Sequence, residues 1–141
     1  MKSPLLTLML LASPALAETH DVHMLNRGET GPMVYEPAYL HISPGDTVRF
    51  HPTQPSHNAA TIEGMIPAGA EPFRSKINES FEVTLDRPGI YGIKCSPHFA
   101  MGMVMLIEVG EQAEISFPDD LPKRAADRFA GIVDESRRPR D

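Results

Sequence analysis

Cysteine is nearly absent from this chain of 141 residues; Cys95 is the only one. A lone thiol cannot staple its own chain, so the disulfide framework common in small exported domains is excluded. Basic side chains are also in deficit, 13 against 19 acidic ones, for a formal net charge of −6. That deficit argues against a nucleic-acid partner, whose affinity rests largely on neutralised phosphates. Beyond the first residues no apolar run approaches the ~18 residues of a transmembrane helix, so no stable membrane association is expected. There is no internal repeat and no low-complexity segment, and the length suits one domain.

The N-terminus does carry a short apolar run, Leu5 to Leu11, after Lys2 and before Ala15-Leu16-Ala17. A small positive region, an apolar stretch and a small-x-small pattern make a secretory signal. The alternative is a buried N-terminal helix, but Pro14 and the Ala-x-Ala pattern fit cleavage better. Three segments are expected: a signal at 1–17, a main domain at 18–110 and a C-terminal extension at 111–141. Lys2 is the only charged residue of the signal, so the mature chain from Glu18 has a net charge of about −7. In an exported protein a free exposed thiol is a liability, which gives weight to Cys95 as a ligand.

The body of the chain reads as short strands between Pro/Gly turns. Thr19 to Leu25 alternates, and Asn26 to Pro32 is a turn or loop cluster. Met33–Pro37 leads to a strand at Tyr39–Ile42, and Ser43-Pro44-Gly45-Asp46 turns into Thr47–His51. His57-Asn58 opens an extended piece, and Glu63–Asn78 is irregular, with a short helical turn near Ile66 or Phe73. Phe81–Leu85, Ile90–Lys94 and Met103–Val109 complete an all-β sandwich or barrel. After Gly110 the pattern becomes helical. Asp119-Asp120 offer an N-cap, Pro122 fits the first turn, and Leu121, Ala125, Phe129 and Val133 form one stripe. Residues Arg137 to Asp141 read as a frayed end.

The chemistry concentrates in "KCSPHFAMGM", Lys94 to Met103. With Cys95 ending one strand and Met103 starting the next, the loop turns back on itself, and Cys95, His98 and Met103 can converge. Among upstream histidines, His57 is the best candidate for a further nitrogen. Two imidazoles, one thiolate and a methionine sulfur make the blue-copper electron-transfer arrangement. Zinc is the main rival, but methionine is a poor zinc ligand and structural zinc sites usually carry more cysteines. Each residue alone has a plainer reading: C-x-x-H recurs by chance, and Met101, Met103 and Met105 alternate like one face of a core strand.

The motifs "DVHMLN", "GPMVYEPAYL", "PGDTV", "SHNAATIEGMIP", "FRSKINESFEVT" and "PGIYGIKCSPHFAMGM" resemble the pseudoazurins, the periplasmic type 1 copper proteins of denitrifying bacteria. The resemblance covers nearly all of the chain after residue 17. It implies a cupredoxin-like Greek-key β-sandwich of about eight strands with a C-terminal α-helical extension. It implies one copper ion held by His57, Cys95, His98 and Met103. It also implies a soluble, monomeric periplasmic carrier delivering electrons to copper nitrite reductase, nitrous oxide reductase or cytochromes c or cd1. Asn58 is expected to tie the His57 loop to the cysteine loop and to donate its backbone N–H to the sulfur, while Pro97 withholds a second donor. Met33 falls where the family packs a side chain near the exposed histidine.

His98 is the expected exit for the electron, inside an apolar collar of Pro97, Phe99, Ala100, Met101 and Met33. Arg27, Arg74, Lys76 and Lys94 can steer acidic partners. Pro55 stands where the family favours lysine, and Ser116-Phe117-Pro118 interrupt the first of the family's two C-terminal helices. Glu18-Thr19-His20, once at a free N-terminus, has the spacing of an amine-and-imidazole chelate for Cu(II) or Ni(II), although pairing of the first strand would hide its amides. Two rival functions remain: a copper-delivery protein with no redox partner, and a thiol enzyme using Cys95 and His98. The second lacks an oxyanion hole and a third orienting group.

Overall fold

The computed structural model describes residues 15–139. Most of the expected signal therefore lies outside the described residues. Ala15, Leu16 and Ala17 are exposed and belong to no strand or helix.

Eight strands form two four-stranded sheets, the cupredoxin sandwich. One sheet has the order β2-β1-β4-β6, from Gly31–Glu36, Thr19–Gly28, Asp46–His51 and Phe81–Leu85. The other has the order β3-β8-β7-β5, from Tyr39–Ile42, Val104–Val109, Gly89–Lys94 and Ala60–Thr61. β1 with β4 and β3 with β8 are parallel pairs; the remaining neighbours are antiparallel. Alternation does the sorting. Val22, Met24, Val48 and Phe50 point into the sandwich, where they meet Tyr91, Ile93, Met105 and Ile107 of the opposite sheet.

Strand β8 is buried at every position, and the reason lies outside the sandwich. Met105, Ile107 and Val109 face the main core, while Val104 and Leu106 face a second cluster built with Ala125, Phe129 and Ile132 of helix α1, Lys123–Ser136. Cover on both faces explains an uninterrupted apolar strand, as in two-sided sheets generally.

Several expectations change in detail. The Asn26–Pro32 cluster is not a loop: β1 runs to Gly28, β2 begins at Gly31, and only Glu29-Thr30 turn. The Gln54 amide oxygen accepts the N–H groups of Asn26 and Arg27 and so holds the strand end. No helical turn forms at Ile66 or Phe73. The helix starts at Lys123 with Pro122 as its N-cap, not Asp119 or Asp120. Proline biases the preceding residue away from the helical region, so Leu121 cannot serve as a first helical residue. Its fully covered residues are Ala125, Phe129 and Ile132, with Leu121 and Val133 at the margin. One C-terminal helix forms among the described residues; ahead of it Ile115 and Phe117 pack from irregular chain, with the Phe117 ring 5.1 Å from that of Phe129.

Arg137 is not frayed. Its guanidinium donates to both oxygens of Glu108, at 3.0 and 2.9 Å, and to the Ala113 carbonyl. The Tyr39 hydroxyl and the Ala113 N–H complete the partners of this fully buried carboxylate. Burial pushes the Glu108 carboxyl up, but the bonds from Arg137, Tyr39 and Ala113 outweigh it and hold it at about 2. Truncating Arg137 leaves a buried charge alone, so Arg137→Met should cost about 3 kcal/mol of stability, and Glu108→Gln in the same background should recover part of it. Because the folded carboxyl titrates below its unfolded value, the pair stabilises fully above about pH 4.3 and fades as pH falls toward 2. Denaturation at pH 5 and pH 2.5 checks both: the acid loss should be smaller in Glu108→Gln than in the native chain.

Candidate metal centre

The C-terminal ends of β1, β4 and β7 and the start of β8 meet at one end of the sandwich. Cys95 follows directly on β7, and Met103 directly precedes β8. Between them Ser96–Met101 wind as a short 3-10 helix with a proline in its first turn. The loop closes on itself: Cys95 N–H donates to the Met103 carbonyl, Met103 N–H to that of His98, and His98 N–H to that of Cys95. Gly102 ends the helix at φ +88°, where a Cβ would lie 2.8 Å from the Arg124 carbonyl oxygen of α1. A side chain is excluded there twice, by backbone conformation and by the helix behind it.

His57 arrives from the other side, on the segment between β4 and β5. That segment is pinned by the 75–78 stretch: Asn78 N–H donates to the His57 carbonyl and Ser75 N–H to that of Ala59, while Ser75 Oγ accepts Ala59 N–H. Asn58, 1 % exposed, joins the two loops. Its Oδ1 accepts Ser96 N–H at 2.7 Å, and its Nδ2 donates to Ser96 Oγ and the Ser75 carbonyl. The Tyr35 hydroxyl donates to the Asn58 carbonyl at 2.7 Å.

These ties bring three donor atoms together. His57 Nδ1 and His98 Nδ1 are 3.2 Å apart, and Cys95 Sγ lies 3.7 and 3.5 Å from them. His57 and Cys95 are fully buried, and His98 is half-buried. Metal–nitrogen bonds of ~2.0 Å and a metal–sulfur bond of ~2.3 Å, opened to a trigonal plane, span roughly 3.5 and 3.8 Å. The observed triangle has nearly these edges, so the residues fit a metal ion without rearrangement. Burial, and secondarily the charge of His98, pushes the His57 imidazolium down to about 4, which keeps its lone pair free. His57 Nε2 is buried with no hydrogen-bond partner among the described residues. Burial pushes the Cys95 thiol up, and the backbone N–H groups of Asn58 and His98 pull it down. Pro97 offers no N–H, and the next amide in the turn, that of His98, donates to the Cys95 carbonyl.

Three of the four expected ligands, His57, Cys95 and His98, thus come together. Met103 is fully buried, held by its backbone to both Cys95 and His98. Tyr35, Ser75, Ser96 and Gly102 were missed by sequence reasoning. Serine at the partner positions of Asn58 carries no distinctive pattern, and only the glycine among the methionines of "AMGM" hinted at a close approach.

The fold and the donor set define a small copper-binding β-sandwich protein. Residues 22–110 match the family of copper binding proteins described as plastocyanin/azurin family, and the chain belongs to it. Within the family the likeness is to pseudoazurins. The chain is 50 % identical over 125 residues to pseudoazurin of Paracoccus pantotrophus, covering 86 % of each. The crystal structure of pseudoazurin from Methylobacterium extorquens AM1 superposes with a TM-score of 0.70 at 38 % identity, over 81 % of this chain and 98 % of that one. Native pseudoazurin from Hyphomicrobium denitrificans gives 0.69 at 33 %, over 82 % and 98 %. Copper is therefore the cofactor, zinc is set aside, and the chain is of the blue-copper electron-carrier class.

Asn58→Ala removes the bonds from Asn58 to Ser96 and Ser75 and leaves the half-buried Ser96 N–H and the Ser75 carbonyl short of partners. At about 1–1.5 kcal/mol per lost bond it should cost roughly 2–4 kcal/mol. Denaturant unfolding of the copper-free protein measures this, and a copper-loaded sample should also release its metal faster to a chelator.

Proposed function

We propose that His57 Nδ1, Cys95 Sγ and His98 Nδ1 hold one copper ion with the Met103 thioether as fourth ligand, and that the protein is a soluble, monomeric one-electron carrier of the periplasm. The observation that carries this is the triangle of two imidazole nitrogens and one thiolate sulfur on two loops joined by Asn58. Copper bound there supplies the Cu(II)/Cu(I) couple. The chain's part is to keep the donors still. His57 and Cys95 are closed to water, and His57 stays neutral. Thiolate and thioether suit Cu(I) and imidazoles keep Cu(II) acceptable, so neither state calls for a different ligand set.

Electrons leave through His98, the ligand nearest the surface. Around it Pro97, Ala100 and Met101 are exposed and Phe99 and Met33 half-buried. Ile77, 48 % exposed and next to the residue that binds the His57 carbonyl, extends this collar beyond the residues expected from sequence. A small apolar patch supports brief docking without tight binding. Arg27, Arg74 and Lys76 are exposed, and Lys94 sits 4.9 Å over the Phe99 ring, so cations border the patch despite the acidic total. Copper nitrite reductase, nitrous oxide reductase and cytochromes c or cd1 are the proposed partners. Residues 1–17 are proposed as the signal that takes the chain to them. Among the described residues no helix is long and apolar enough to cross a membrane.

Copper(II) loading should produce an intense visible thiolate-to-copper band that one electron equivalent abolishes, and Cys95→Ser should bind copper without it. A colourless complex, or one that gives its copper to a weak chelator before accepting an electron, would favour metal delivery instead. Electron transfer to an acidic reductase should slow several-fold between low salt and ~0.5 M salt, as exposed charges become screened; stopped-flow rates unchanged by salt would remove steering by the basic border.

A further inference from the structure

Asp46 is a carboxylate only 5 % exposed, at the start of β4. Its Oδ2 accepts the Ser43 N–H at 3.0 Å and bonds His20 Nε2 at 2.9 Å; its Oδ1 accepts the backbone N–H of Glu18 at 3.0 Å. Among the described residues no lysine or arginine pairs with it, and His20 is its only side-chain ion partner. A buried anion normally has a permanent countercharge or a full set of strong donors. Asp46 has neutral amides and one imidazole.

We propose that the missing countercharge is the chain's own α-ammonium group, and that Asp46 is its receptor. The proposal rests on processing after Ala17. Hydrolysis of the Ala17–Glu18 bond by a signal peptidase adds the hydroxyl of water to the Ala17 carbonyl and its proton to the Glu18 nitrogen. The new Ala17 carboxylic acid then gives up its proton to the amine, so the nitrogen that donates to Asp46 as a neutral amide becomes a cation with three N–H donors. Its place is already set, because the Glu18 carbonyl accepts Thr47 N–H and Thr19 pairs in register with Thr47. Among the described residues before Glu18, Ala15, Leu16 and Ala17 are exposed, with Leu16 at 87 %. Charge-assisted bonds are roughly twice as strong as neutral ones, so processing strengthens the folded state.

The same arrangement disposes of the chelate considered for Glu18-Thr19-His20. Its amine and imidazole are both engaged by Asp46, and β1 is already paired from Thr19. The other ionisable groups nearby are the exposed Glu18 carboxylate, 4.0 Å from His20 Nε2, His41 of β3, bonded to the Gly110 carbonyl, and Asp86 of the β6–β7 turn beside Gly45. None of them is a permanent cation.

Six copper-loaded chains test the proposal: one starting at Glu18, one retaining Ala17, and each of these with Asp46→Asn or with His20→Gln. The amine of the Glu18 chain should titrate at least one unit above the ordinary ~7.7–8.0, as read by nitrogen-15 NMR. Its Tm at pH 7 should exceed that of the Ala17 chain by several degrees. A raised folded value means the advantage is complete below about pH 8 and disappears as pH rises through that value. Asp46→Asn should erase the difference between the two starts, and His20→Gln should preserve it. An ordinary amine titration, or equal Tm profiles for the two starts, overturns the pairing. The mass of the exported protein tests the processing separately: a start other than Glu18 removes the reading of residues 1–17, while the Glu18 chain still reports whether the amine and Asp46 pair.

Discussion

One amide side chain, that of Asn58, holds the two halves of the metal centre together. His57 and the Cys95–Met103 loop are far apart in sequence and belong to opposite sides of the site. Asn58 follows the first and bonds the backbone and hydroxyl of Ser96, which follows the second ligand. Its backbone carbonyl accepts the Tyr35 hydroxyl, and its side-chain Nδ2 also donates to the Ser75 carbonyl. Buried hydrogen bonds of this kind are worth most where water cannot replace them. The positions of the donor atoms follow from the frame, and the frame stands without help from the ion.

Rigidity also comes from outside the sandwich. Helix α1 closes against the ligand loop at Gly102, and its Arg128 donates to the carbonyls of Met33 and Pro32 on the β1–β2 hairpin. Its far end is fastened by Arg137 to Glu108 on β8, the strand that begins just after Met103. The C-terminal extension therefore backs the metal loop, rims it and anchors the strand leading out of it.

The candidate site was legible because chemistry and spacing coincide: a lone thiol, an imidazole three residues on and a thioether five beyond that, in a chain with a single cysteine. Strands with one wet face, such as Phe81–Leu85, were read with their correct limits because alternation survives in the sequence. Two things were hidden. β8 reads as simply apolar, and nothing local shows that its outer face is covered by a helix, or that Glu108 within it has a partner 29 residues away. The helix start was misplaced because aspartates favour caps locally, while Pro122 acts on the residue before it. The serine partners of Asn58 were invisible, since only the fold makes them neighbours.

The central claim is that the donor atoms are placed by the fold, so that bound copper changes oxidation state without changing its surroundings. X-ray absorption of the copper-loaded protein in both oxidation states tests this most directly. The account predicts two nitrogen ligands and one short sulfur ligand in each state, with bond lengths moving by no more than about 0.1–0.2 Å, within the tolerance of a well-formed site. Loss of a nitrogen ligand on reduction, or a change in coordination number, would contradict it.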